Sequence, residues 1–318
     1  MNVEQLTAIC REFRIDPDAG TVDFRGTNYP LTGDTTLRAD LTRLVYSVVH
    51  AGVEPEDPNR EVNLADISVE HSLAETISAA TPHSETVEHA VIEERIGEST
   101  VIRTDQGVRI AVPSNSVVDG ASGATVSLAA SRPGLSPGFF LTKGSRGVAR
   151  TQAMVRVYLN VAGPEHISAV WRSVLTALET SEALYHAKAV SDARSFGRRD
   201  SMVVYLGPDT AALHALAAAI EPGALNTDLS PFVYPFAPGV GVAFEPADSR
   251  PRLSGRSLGE HRSDCLAAAV TESLRNQSPL EDELHAALLA GNIDSAAVWR
   301  NRNSPPLALS VDTYMDAS

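Results

Sequence analysis

The feature that most constrains this chain is a change in apolar period near residue 91. From there the apolar residues largely stop recurring every three or four positions and begin to alternate, the mark of half-buried strands. STVIRTDQGVRIAVPSNSVV alternates around Asp105-Gln106-Gly107 and predicts a β-hairpin, and SGATVSLAAS adds a strand. AMVRVYLNV puts Val155, Val157 and Leu159 on one face and Arg156, Tyr158 and Asn160 on the other. ALYHAKAV, SMVVYL and VGVAFEP read as further strands. PEHISAVWRSVLTALETS (with Pro164 in its first turn), TAALHALAAAIEPG and EHRSDCLAAAVTESLRNQ read as helices between or after them, and EDELHAALLAGNIDSAAVWRNR as a helix pair. SRPGLSPGFFLTKGSRG, SDARSFGRRD and PADSRPRLSGRSLG are predicted loops. Hairpins interspersed with helices point to an α+β fold, a largely antiparallel sheet with packed helices.

The first 50 residues read differently: a short helix, a strand pair in VDFRGTNYPLTG, and a helix whose Leu37, Leu41, Leu44, Val45 and Val48 share a face before Gly52 stops it. A Pro-rich acidic loop, VEPEDPNREV, and a helix in LADISVEHSLAETISAAT follow. Residues 51–100 carry twelve acids against Arg60 and Arg95, which reads as a solvated face in preference to a docking surface for a basic partner.

Composition narrows the function classes. Two cysteines far apart, Cys10 and Cys265, exclude a disulfide framework and a cysteine-rich zinc site. No stretch approaches the roughly 18 apolar residues of a membrane span, and the first residues lack a signal-peptide pattern, so no membrane role and cytoplasmic residence are expected. A formal charge of −14 argues against nucleic acid as a partner, because like charges repel. That charge is unevenly spread: residues 131–200 hold ten Lys/Arg against five Asp/Glu. A positive island in an acidic chain suits a small or localised anion better than a polyanion.

Basic-residue usage adds a second clue. Of 26 Lys and Arg, only Lys143 and Lys188 are lysine. Guanidinium stays protonated, whereas an amine desolvated among cations can fall toward neutrality and act as a base. The strand pattern puts Arg156 beside Tyr158 and His186 beside Lys188 at the i, i+2 spacing of one face. Arg198, Arg199 and Asp200 precede SMVVYL, where the carboxylate can hold a guanidinium in a two-pronged geometry. Ser257-Leu258-Gly259-Glu260-His261-Arg262 lies at a predicted helix N-terminus, a natural anion position. Phosphate loops, dinucleotide fingerprints, HExxH and GxSxG are absent from the sequence, no histidine pair has metal-ligand spacing, and neither metal nor cofactor is expected.

Five segments, SRPGLSPGFF, RVYLNV, AKAVSDARSFGRRDSMVVYL, PFAPGVGVAFEP and SLGEHR followed by CLAAAV, occur in an order and spacing that resemble the HopA-like family, over roughly residues 130–275. Leu258 replaces an aromatic common in that family, and Phe196 a tyrosine. The family takes its name from a type III effector of plant pathogens. Its members also serve as the lyase component in class V lanthipeptide and thioamitide biosynthesis, where a kinase-like protein phosphorylates a ribosomally made precursor peptide and the HopA-like protein eliminates phosphate to leave dehydroalanine or dehydrobutyrine. With the change of period near residue 91, the expected organisation is a mainly helical N-terminal region at 1–90, a HopA-like α+β lyase domain at 91–300 and a tail at 301–318. The partners that the resemblance implies are a kinase-like subunit and the phosphorylated peptide.

Elimination needs a base for a weakly acidic Cα proton and cations for the departing phosphate. Lys188 is the expected base. Arg156, Arg198, Arg199 and Arg262 are expected phosphate ligands, Lys143 is expected to close over the phosphate from a loop, and Asp200 to orient an arginine. His261, then His186 and Tyr158, are the expected acids. Two other readings stay open: a non-catalytic phosphopeptide-binding scaffold of the kinase complex, and an effector-like protein acting on host proteins.

Overall fold

A computed structural model describes residues 1–309 except 17, 33–35, 56–70, 105–106, 122 and 137. The chain opens with α1 (Val3–Arg11), closed at its start by the reciprocal Asn2–Gln5 capping box. Next come β1 (Phe13–Asp16), β2 (Thr21–Phe24) and β3 (Thr27–Pro30), a three-stranded sheet rather than the expected pair. Phe13 supplies the extra strand by stacking on Phe24, ring centroids 4.3 Å apart. The helix α2 (Leu37–Leu44) runs into a π-helical turn, Val45–Ala51, and stops at Gly52. Only glycine suits that position: φ is +73°, and a Cβ would lie 2.8 Å from the Arg199 guanidinium carbon.

After α3 (His71–Ala80) comes a five-stranded sheet made of β4 (Glu85–Ile96), β5 (Ser99–Thr104), β6 (Arg109–Pro113), β7 (Val117–Gly120) and β8 (Gly123–Ala129), in the order β6-β5-β4-β8-β7. Alternation begins at Glu85, so residue 91 falls inside β4. The start of the helix expected in LADISVEHSLAETISAAT and residues 105–106 of the expected turn lie outside the described residues.

The seven-stranded sheet uses β9 (Ser131–Ser136), β10 (Phe139–Lys143), β11 (Val155–Leu159), β12 (Tyr185–Val190), β13 (Met202–Leu206), β14 (Tyr234–Ala237) and β15 (Val240–Phe244) in the order β14-β15-β11-β13-β12-β10-β9. Its pairings are antiparallel. The hairpin β9–β10 corrects the loop expected for SRPGLSPGFFLTKGSRG. Glycine and proline density hid an alternation in which Phe140 and Thr142 turn inward, with Gly138 at φ +75° in the turn. The helices are α4 (Ile167–Thr180), α5 (Thr210–Ala218), α6 (Leu258–Asn276) and α7 (Leu280–Ala290). The terminal helix pair is one helix. Beyond Gly291 the chain turns at Asn292, whose φ is +56°, and buries Ile293, Val298 and Asn301 as a strap, with Asn301 donating to the Glu245 carbonyl.

Register decides which face the described side chains of the large sheet take. Val155, Val157, Leu159, Ala187, Met202, Val204 and Val242 share the face packed by α3, α4 and α5, where Trp171 fills the centre. On the opposite face α1, α2, α6 and α7 pack over Tyr158, Val203, Tyr205 and Ala243. That second layer stops short of β12 and β10. There Phe139, Leu141, Lys143, His186 and Lys188 remain half-buried.

Candidate functional site

Two rows of aligned residues form the floor of the site. Lys143 faces His186, His186 faces Tyr205, and Tyr205 faces Arg156 across β10, β12, β13 and β11. One step along, Lys188 faces Val203, which faces Tyr158. Residues opposite one another on paired strands point to the same face, so this register gathers five of the expected site residues, Lys143, Arg156, Tyr158, His186 and Lys188.

Arg156 is buried. It pairs with Glu245 through Nε and through Nη2, which lies 2.6 Å from Oε1, and its guanidinium carbon sits 4.8 Å over the Tyr205 ring. His186 stacks flat on the same Tyr205 ring, with centroids 4.2 Å apart and planes within 7°. Burial and the neighbouring Arg156, Lys143 and Lys188 lower its imidazole to about 4, so it is neutral near pH 7. Tyr158 is 3% exposed, and its hydroxyl has no hydrogen-bond partner among the described residues. Burial raises its phenol, which keeps its proton.

Lys188 differs from every cation around it. Its Nζ lies 4.2 Å from the Phe139 ring centroid, and no hydrogen bond or ion pair joins it to the described residues. Burial brings the amine down to about 8; Arg156 and Arg198 push the same way and Asp200 opposes them. Arg198 also flanks the Phe139 ring, at 5.6 Å, and is forked on Asp200 at 2.5 and 3.0 Å. Its Nη2 also donates to Tyr46 at 3.0 Å, which leaves Nη1 without a described partner. Asp200 is buried and held low, burial opposing and Arg198 dominating the favourable contacts.

Sequence reasoning missed His50. It is buried behind Asp200, with Nδ1 2.8 Å from Ser230 Oγ and Nε2 3.9 Å from Asp200 Oδ2. Its ring stacks on Phe232 and meets Tyr158 edge-on. The glycine of SLGEHR exists for this contact, since a Cβ on Gly259 would lie 2.2 Å from His50 Cδ2. A lone histidine in an apolar helix carries no local signal, and only the pairing of the π-helical turn with α6 exposes its place.

Beside the floor, meeting it at Phe139 and Arg198, is a cleft of about 750 Å³. One wall comes from Phe139, Arg198, Arg256 and Glu260, the other from β2, β3, α2 and the segment up to Pro55. Of the expected site residues Arg198 alone lines it, beside the Phe139 ring that carries Lys188, and four others are turned to different partners. Arg199 points to Asp228 and to the Val49 carbonyl, each at 2.7 Å, and so fastens the β12–β13 loop to the π-helical turn. Lys143 ends β10 rather than riding on a loop, and is pinned 2.7 Å from Glu88 beside Arg132. His261 and Arg262 lie on the inner side of α6, 0% and 1% exposed. Arg262 donates to His261 Nδ1 (2.7 Å) and the Val298 carbonyl (3.0 Å), while His261 Nε2 meets Asp248 at 2.8 Å. An arginine can only donate, so the imidazole carries its proton on Nε2 and hands it to the carboxylate. Sealed in this chain, neither residue reaches a ligand. Among the described residues no His/Cys/Asp/Glu group is arranged to hold a metal, and no helix is long and apolar enough to cross a membrane.

The stretch that supplies the floor and the sealed chain, residues 130–300, matches the model of the HopA1 effector protein family. The chain belongs to that family. No curated protein matches it. The HopA1 likeness extends to fold: an effector protein from Pseudomonas syringae pv. tomato strain DC3000 superposes with a TM-score of 0.50 at 15% identity, over 83% of this chain and 90% of that one. An effector protein from Pseudomonas syringae pv. syringae strain 61 aligns at 16% identity and a TM-score of 0.47, over 81% of this chain and 88% of that one. The HopA1 match begins at β9, so the β2–β3 and α2 wall of the cleft lies outside it.

Proposed function

We propose that this HopA1-family chain is a phosphoserine/phosphothreonine lyase acting on a peptide phosphorylated by a separate kinase-like protein. The observation that carries the reading is the unpaired Lys188 amine, seated on Phe139 between Arg156, Arg198 and Asp200. At neutral pH an amine brought down to about 8 has a substantial neutral fraction, which a solvated lysine lacks.

In the proposed reaction neutral Lys188 takes the Cα proton. The C–H electrons form the Cα=Cβ bond, the Cβ–O bond breaks, and phosphate leaves with that electron pair. Arg198, through its spare Nη1 donors, and the Arg156 guanidinium stabilise the charge that builds on the leaving oxygen. The Tyr158 hydroxyl is sealed within the floor, so the departing phosphate oxygen takes its proton from water. His186 is neutral with its imidazole near 4, and serves as a flat spacer that holds Tyr205 under Arg156.

The test is to incubate the chain with a phosphothreonine peptide and follow its mass. Loss of the elements of phosphoric acid, abolished in Lys188→Ala, is the expected result. Release of free threonine, or binding without reaction in the presence of the kinase, overturns the lyase reading; the second of these is the behaviour of a scaffold.

A further inference from the structure

The cleft has a chemical polarity that the floor alone does not explain. On one wall stand Arg198, Arg256, Glu260 and the Phe139 ring; the other sets Val22, Tyr29, Pro30, Leu31, Val53 and Pro55 beside the Asp40–Arg43 pair and Glu54. Val53 and Pro55 follow the Gly52 stop and are half-buried. About 750 Å³ is the size of pocket that encloses a drug-sized molecule, that is, a few residues of extended chain. A folded domain carrying a phosphorylated side chain would not enter it.

We propose that this cleft is a peptide subsite which selects an extended chain with an apolar residue next to the phosphorylated Ser or Thr, gripped between the β3–Pro55 wall and the Arg198 end. The inference rests on the lyase reading for what happens to the phosphate, though the recognition step stands without it. Charge and surface complementarity assign the occupant. A phosphate dianion matches the Arg198 Nη1 donors and the exposed Arg256, because Glu260 beside them is engaged by the Ser257 amide and Asp40 by Arg43, and an aliphatic neighbour matches the apolar part of the wall. The wall belongs to residues that precede the family match, so selectivity for the flanking residue is a property of the N-terminal segment, while the floor belongs to the HopA1 region.

The experiment compares two phosphothreonine peptides, one with leucine and valine beside the phosphorylated residue and one with glycine and serine there. Binding is measured by calorimetry on the Lys188→Ala chain, so that no peptide is consumed, and elimination by mass on the unaltered chain. The apolar-flanked peptide is expected to bind about tenfold to a hundredfold tighter, the range that apolar pockets give. Val53→Ser and, separately, Tyr29→Ser are expected to weaken the apolar-flanked peptide most and so remove most of that preference. Two variants guard against one failing to fold. Equal affinity for the two peptides, or a preference intact in both variants, overturns the subsite. Elimination without flank preference sinks the subsite alone, whereas flank-dependent binding with no elimination supports the subsite and sinks the lyase reading.

Discussion

Two groups of buried charge in this molecule use the same residue types to opposite ends. At the cleft, Arg156, Arg198, Asp200 and Lys188 leave one amine and one pair of guanidinium donors without a described partner. Beneath α6, Arg262, His261 and Asp248 bind one another and the carbonyls of the C-terminal strap. The first group holds back donors for something else to use. The second is satisfied by the protein itself. What separates them is the reach of the second helical layer, which covers β11, β13 and β15 and ends before β12 and β10. Charge at a site therefore signals function only where the packing leaves some of it unspent.

The contrast can be broken by mutation. Lys188→Ala should lower elimination about 10²- to 10⁴-fold, the range for loss of a general base, with little change in melting temperature; residual activity within tenfold would move the base elsewhere. Arg262→Met should do the reverse. It leaves His261 Nδ1 and the Val298 carbonyl unpaired in the interior, at a cost of about 3 kcal/mol in urea unfolding, and an unchanged midpoint would contradict the sealed chain. Gly259→Ala drives a methyl into His50 and should cost about 1–3 kcal/mol, measured the same way. If it is neutral, the π-helical turn and α6 are not tightly coupled.

Acid sharpens the comparison with a smaller effect. His50, His186 and His261 all have imidazoles lowered from 6.5 to about 4, with burial the largest cause in each. A lowered folded-state value means that the unfolded chain takes up protons first as the pH falls. The stability these groups contribute is complete above 6.5 and is lost on descending to about 4. The urea midpoint should slope downward through that window, and a His261→Gln variant should slope less. A flat midpoint between pH 6.5 and 4 would show that these rings are already charged in the folded chain.

Much of this was legible in the residues. RVYLNV and ALYHAKAV announced both their strands and the polar side of each, because a period of two leaves no freedom over which residues share a face. The scarcity of lysine singled out Lys188. The order of the strands was not readable: β10 sits between β9 and β12, and β11 between β13 and β15, and such long-range pairing leaves no local trace. SRPGLSPGFF hid a strand behind its turn residues. SLGEHR looked like an anion site at a helix start, yet a helical period turns His261 and Arg262 inward, and Gly259 answers to His50 about 200 positions earlier in the chain rather than to a ligand. The cleft wall from Val22 to Pro55 could not be assigned to the site before the fold brought it there.

The central claim is that Lys188 is a lysine set apart, and the chain offers a direct reading because it contains only two lysines. Nuclear magnetic resonance of the folded chain labelled at lysine side chains, followed across pH, should show one amine titrating at about 8 and vanishing from the spectrum of Lys188→Met. A Lys188 amine that titrates at its ordinary value of 10.5 would contradict the account.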